Sequence, residues 1–257
     1  MATLDIDKFL SGHVWGFLFI FSRIGCMLML LPGIGEHYVP ARMRLAFAFA
    51  VTFILLGPLL PRLPAPPTAL SDMARLLTYE IVIGLFFGTL LRILLSALEA
   101  AGTVIALQGG LSNAQILNPA LAVQSTLPSS LLSVVGITML FVTGLDHTLL
   151  HGLARIYDIF PPGGELMPGD MAQTIMQITN RSFTIGIELA MPFFVIGLLF
   201  YIVLGVMQKL MPNVQLFLVV MPAQIWVGLI LLAVTLTGII TVWLRYFDSS
   251  LATFLAD

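Results

Sequence analysis

Five ionisable side chains lie inside strongly apolar stretches of this 257-residue chain: Arg23, Glu80, Arg92, Glu99 and Glu188. At the centre of a membrane helix each charge costs at least about 2.5 kcal/mol unless it is paired or solvated, so these side chains should face protein or water. Two chemistries fit such a set: structural ion pairs between subunits, or a relay that carries protons or ions. Glu99 follows Arg92 by two helical turns, which suits a shared polar stripe rather than a direct pair. We favour ion pairs, because a relay usually brings several carboxylates together.

Metal binding and catalysis have weaker support. His147 and His151 are four residues apart beside Asp146, a spacing typical of metal ligands, but no third ligand follows at a recognisable spacing. A helix end at the membrane interface explains them better, and we predict no metal site. The chain lacks a metalloprotease motif, a nucleophile elbow and a phosphate-binding loop, and Cys26 has no evident histidine partner. We therefore predict neither an enzyme nor a bound cofactor.

The composition is that of an integral membrane protein. Hydrophobic residues make up 59% of the chain, charged residues only 9%, and the mean hydropathy is +1.04, whereas soluble domains are roughly 25% charged. The net charge is −2 and there is no basic cluster, so the expected environment is lipid, and nucleic acid is not an expected partner.

The apolar residues group into six helical segments, at about residues 12–31, 43–60, 79–107, 127–151, 181–207 and 214–245. This pattern predicts an all-α polytopic membrane protein. The chain has no alignable internal repeat and no soluble insertion, so we predict one domain over residues 1–257.

The third segment breaks at Gly109-Gly110 into uncharged polar sequence that ends at Pro119. Irregular backbone at membrane depth needs hydrogen-bond partners, which it finds inside protein or beside an aqueous cavity. The break is therefore either a loop buried in an assembly or an ordinary turn at the membrane surface.

Two further stretches are rich in proline, glycine or asparagine and predict elbows: Pro32, Gly33, Gly35 and Pro40 in the first, and Pro212, Asn213 and Pro222 in the second. Pro192 lies within the fifth segment and predicts a kink rather than a helix end. The broken apolar regions favour a cavity-lining or assembly subunit over a plain anchor.

Taken in order, these residues resemble the FliR family, flagellar export-gate subunits equivalent to the SctT subunit of type III secretion systems. The resemblance is carried by Pro32-Gly33-Ile34-Gly35 with Val39-Pro40 and Arg44, by Glu80 with Gly84, by Glu99, Gly102, Ile105, Gln108 and Gly110, and by Met211-Pro212-Asn213-Val214 with Pro222. It covers essentially the whole chain.

The resemblance implies a subunit of the flagellar export gate in the bacterial inner membrane, within the basal body. It implies kinked helical hairpins in a pseudo-helical ring with FliP-like and FliQ-like subunits, FlhB-like and FlhA-like subunits nearby, and unfolded flagellar proteins passing through the centre. The broken loop would correspond to the family's pore-occluding plug: Gly109, Gly110, Leu111, Ser112, Asn113, Ala114, Gln115, Ile116, Leu117, Asn118 and Pro119.

Other functions also fit parts of the pattern. A secondary transporter or ion channel would show broken helices and intramembrane charges, but a transporter usually carries an internal repeat. A structural anchor would need no break. An injectisome export-gate subunit would share the family features.

Overall fold

The computed structural model describes residues 6–112, 126–164, 166–211 and 216–256, and over these residues the fold is all-α, without strands. Among the described residues, five helices are long and apolar enough to cross a membrane, and the helices Leu127–Val142 and Leu145–Ile159 together form a sixth candidate that is bent by 77°. The prediction of an all-α polytopic membrane protein is confirmed. The helices are α1 (Ile6–Leu30), α2 (Ala41–Leu59), α3 (Leu70–Gln108), α4 (Leu127–Val142), α5 (Leu145–Ile159), α6 (Pro168–Leu210) and α7 (Leu216–Ala256), with a short 3-10 turn at Leu60–Arg62.

Several of the predicted segments differ from the observed helices: the first helix begins at Ile6 rather than at about 12, and the last ends at Ala256 rather than at about 245. The segment at 127–151 is two helices, because Gly144 adopts a left-handed conformation (φ 78°) between α4 and α5. The third and fifth segments begin earlier than predicted, at Leu70 and Pro168. Each helix starts in polar sequence that hydropathy alone does not include.

The chain folds as two compact units, the first formed by Met1–Ile93, Gly144–Ile178 and Leu251–Asp257. Its core includes Phe19, Ile24 and Leu90, all almost completely buried. Within it α1 and α2 form a hairpin in which Phe49 stacks on Phe21, with ring centroids 4.8 Å apart.

The predicted first elbow lies between α1 and α2. Pro32 is buried, Gly33 takes a positive φ of 87°, and Pro40 caps the start of α2. The Gly35 N–H donates to the Leu31 carbonyl at 2.7 Å, which closes the turn tightly after α1. The elbow therefore fixes where the second helix of the hairpin begins.

The second unit consists of Leu94–Thr143 and Thr179–Ser250. Its core is centred on Trp243, which is fully buried and donates its indole N–H to the Leu94 carbonyl at 2.9 Å. Leu98, Phe193 and Phe247 are also buried in this unit. Because α3, α6 and α7 supply residues to both units, the single domain over residues 1–257 stays a prediction.

Burial is uneven among the helices. In α3, 61% of the residues in the most apolar stretch are buried, against 22% in α6 and in α7. Large apolar side chains such as Leu198, Trp226 and Val234 are more than half exposed in the isolated chain. Those surfaces must therefore meet lipid or other polypeptides.

Candidate functional site

The predicted break in the third segment is confirmed at its first residues. Helix α3 ends at Gln108, and Gly110 adopts a left-handed conformation with φ 74°, which costs glycine no steric strain. The Ser112 N–H then donates back to the Ala106 carbonyl at 3.2 Å. This bond satisfies one of the carbonyls that every helix leaves without an intrahelical partner at its C-terminal end.

Two residues of α7 hold this end of α3 in place. The Gln224 side chain, only 6% exposed, donates from Nε2 to the Gln108 carbonyl at 2.9 Å. The same side chain lies against Gly110. One helical turn later, Gly228 is so close to Gly109 that a Cβ on Gly228 would lie 3.0 Å from the Gly109 Cα. The backbone of α3 therefore approaches α7 directly at the break.

Helix α6 also contacts Gln108, the last residue of α3. The Gln108 side chain packs over Gly197, leaving no room for a Cβ there. Ser112 is 6% exposed, and its Oγ has no hydrogen-bond partner among the described residues. The described part of the break is thus packed inside the protein rather than lying at an open surface. The remaining predicted plug residues, Asn113, Ala114, Gln115, Ile116, Leu117, Asn118 and Pro119, lie outside the described residues, as do Pro212 and Asn213 of the second elbow.

A second polar site lies in the first unit, where Arg23 and Glu80 pair in nearly complete burial. Arg23 Nε and Nη2 bind the two Glu80 carboxylate oxygens at 2.5 and 3.0 Å, and each side chain is 1% exposed. Arg23 Nη1 donates to the Phe160 carbonyl at 2.8 Å and to the Ile156 carbonyl at 3.4 Å. The guanidinium lies 4.2 Å from the centre of the Tyr157 ring. This bidentate, stacked arrangement uses the planar geometry that arginine offers and lysine does not.

Arg92 pairs with the first elbow. Its Nη1 lies 2.8 Å from Glu36 Oε1, with the arginine side chain 42% exposed and the glutamate 10% exposed. Burial raises the pKa of the neighbouring Tyr38 hydroxyl above its usual range, the Glu36 carboxylate raises it further, and Arg92 acts in the opposite direction. The hydroxyl therefore stays protonated at neutral pH.

Three predicted charges thus have partners among the residues that the structure describes, namely Arg23, Glu80 and Arg92. Glu99 is half-buried and Glu188 is exposed, and neither carboxylate has a partner among the described residues. His147 contacts Asp146 at 3.1 Å and is exposed, as is His151. The described residues contain no group of three potential metal ligands, and that the chain is not an enzyme stays a prediction.

Sequence reasoning did not find Glu36, Tyr157 or Gln224. Glu36 carries no distinguishing pattern because it lies in a short polar stretch, and Gln224 is a single uncharged residue within an apolar run. In the predicted second elbow, Pro222 lies inside α7 and not in a turn. The helices likewise continue through Pro58 and Pro192, so a proline alone does not end a helix in this apolar setting.

The chain matches known proteins over most of its length. The model of the family described as bacterial export proteins, family 1, matches residues 14–250. The flagellar biosynthetic protein FliR of Caulobacter vibrioides is 37% identical over 225 residues, 87% of this chain and 89% of that protein. The FliR protein of Aquifex aeolicus is 28% identical over 240 residues, 92% of this chain and 91% of its own length. The Yop proteins translocation protein T of Yersinia pestis is 28% identical over 158 residues, 60% of each chain.

Proposed function

Because this chain belongs to family 1 of the bacterial export proteins, we propose that it is a membrane subunit of the flagellar type III export gate. The observation that carries the proposal is the match over nearly the full length of relatives whose names place them in flagellar biosynthesis. An injectisome gate is the second candidate, supported by the shorter match to the Yersinia translocation protein. The flagellar role is favoured because that match covers much less of the chain.

We propose that the subunit works in the bacterial inner membrane, within the flagellar basal body, and not as a free monomer. FliP-like and FliQ-like subunits would cover the exposed apolar sides of α6 and α7, with FlhB-like and FlhA-like subunits nearby. Glu99 and Glu188 support this proposal, because a carboxylate in an apolar helix is stable only when another group or water meets it. Both are available for contacts between subunits.

We propose that the polypeptide beginning at Gly109 is a gate that occludes the pore at rest. Unfolded flagellar proteins would pass through the pore when this gate is displaced. Three features support this role: the helix break lies in apolar sequence, Gly109, Gly110 and Ser112 are buried, and the Ser112 hydroxyl has no hydrogen-bond partner among the described residues. A gate of this kind needs two arrangements that differ by only a few kcal/mol, so that a substrate can displace it.

Co-expression with the neighbouring export genes tests the assembly. We expect native mass spectrometry of the detergent-extracted protein to give a large hetero-oligomer with one copy of this chain. We expect this result because the exposed apolar helices of this chain need polypeptide partners. A stable monomer or homodimer would contradict the proposal and favour the transporter.

Deletion of residues 110–112 tests the gate. We expect the variant to assemble to the wild-type mass and to raise ion leakage through the inner membrane several-fold. The reason is that the deletion removes the turn that, in the proposed gate, directs the polypeptide after α3 into the channel. Leakage can be followed as the decay of an imposed ion gradient in membrane vesicles containing the assembled complex. An assembled deletion variant with wild-type leakage would overturn the gating role while leaving subunit membership intact.

A further inference from the structure

We infer that Gln224 is a positioning residue of the export gate, which clamps the C-terminal end of α3 so that the channel stays closed at rest. The inference rests on the proposed gate and adds a residue of α7 that controls it. Its basis is the packing of the described residues around Gln108 and Gly110.

The first observation is a hydrogen bond to a carbonyl that the helix itself does not satisfy. Gln108 is the last residue of α3, and the last four carbonyls of a helix lack intrahelical donors. Gln224 supplies one from Nε2 at 2.9 Å, in a position where the side chain is only 6% exposed. With little water available, the Gln108 carbonyl depends on this amide in the closed arrangement.

The second observation is that the same amide contacts the residue at which the chain turns. A Cβ on Gly110 would lie 3.1 Å from Gln224 Cδ and 3.2 Å from its Oε1. Gln224 therefore both binds the end of the helix and fills the space beside the left-handed turn. A shorter or apolar side chain would do only one of these or neither.

The third observation is that α6 and α7 contact different atoms of Gln108. Helix α7 holds the backbone carbonyl of Gln108 through Gln224, whereas the Gln108 side chain lies over Gly197 of α6. A shift of either helix would therefore change the point at which the polypeptide leaves α3. This links the gate to two helices of which only 22% of the most apolar stretch is buried within the chain.

The test compares two variants with the same chemical change. Gln224→Met keeps the length of the side chain and removes its donor, and Gln208→Met makes the same change at an exposed position of α6. Each is co-expressed with the partner subunits, sized by native mass spectrometry and assayed for ion leakage in vesicles, beside the deletion of residues 110–112. We expect about fivefold greater leakage from Gln224→Met, the effect of losing one buried hydrogen bond, and no change from Gln208→Met.

Hydrogen exchange supplies a second readout. The amides of residues 105–112 should exchange several-fold faster in Gln224→Met than in Gln208→Met. If Gln224→Met does not assemble, Gln224→Asn decides the question, because it keeps the amide but withdraws it by one methylene. An assembled Gln224 variant with wild-type leakage, beside a leaking deletion variant, would overturn the clamp alone. An assembled deletion variant that does not leak would overturn the gate and the clamp together.

Discussion

Replacing Glu80 with glutamine should destabilise the folded subunit by about 3–5 kcal/mol, the range found when one member of a buried ion pair is removed. The substitution preserves the shape of the side chain but leaves the Arg23 guanidinium without its counter-charge, at a position where both side chains are 1% exposed. The loss corresponds to a fall of about 6–20 °C in apparent melting temperature for a protein of this size. Heated detergent extracts of the co-expressed complex, followed by size-exclusion of a fluorescent fusion, measure it.

The chain offers a matched control in a pair that lies at the surface. Arg62 and Asp158 are 2.6 Å apart but 58% and 61% exposed, so Asp158→Asn should cost no more than about 1 kcal/mol. The double variant Arg23→Met, Glu80→Met removes both charges and should recover most of the stability lost by Glu80→Gln. Equal effects of Glu80→Gln and Asp158→Asn would show that burial of the Arg23 pair is not what makes it important.

The sequence indicated that Arg23 and Glu80 each need a neutralising partner, but it did not indicate that they pair with each other. A charge in an apolar helix must be neutralised, which made Arg23 and Glu80 visible as candidates. Their partnership depends on how α1 packs against α3, and the two residues are 57 positions apart. Glu36 was likewise not predicted as the partner of Arg92. It lies in a polar elbow, where a carboxylate can be solvated and does not stand out as a residue that needs a partner.

Local backbone chemistry was predicted more successfully than side-chain contacts. Gly109-Gly110 was correctly identified as a break, because two adjacent glycines favour a left-handed turn. The bend at Gly144 was missed, since a single glycine in an apolar run is compatible with a continuous helix. Gln224 gave no signal: a glutamine acquires its role only when folding brings it beside an unsatisfied carbonyl.

The sequence Gly-Leu-Phe-Phe-Gly over residues 84–88 places two glycines on one face of α3. Such spacing lets membrane helices approach closely. A Cβ on Gly84 would collide with the backbone carbonyl of Arg23, and one on Gly88 would lie 2.8 Å from the Leu30 Cβ. The close approach of α1 and α3 thus brings the backbone of Arg23 onto the helix that carries Glu80.

Gly84→Val should therefore cost about 3 kcal/mol or more, at the upper end of overpacking effects, because the obstructing atom is backbone and cannot rotate away. Gly57→Val in α2 is the control, since a Cβ there meets no atom within 4 Å. Its cost should stay near that of an ordinary helix substitution, well under about 1 kcal/mol. Both are measured with the same heated extracts.

The two large effects should also be coupled. If valine at position 84 pushes α1 away, it separates Arg23 from Glu80, and the pair is already weakened before Glu80 is changed. Adding Glu80→Gln to Gly84→Val should then cost less than Glu80→Gln alone, by about 1 kcal/mol or more in a double-mutant cycle. Additive losses would mean that the glycine contact and the ion pair stabilise the fold independently, and that close helix packing does not position Arg23.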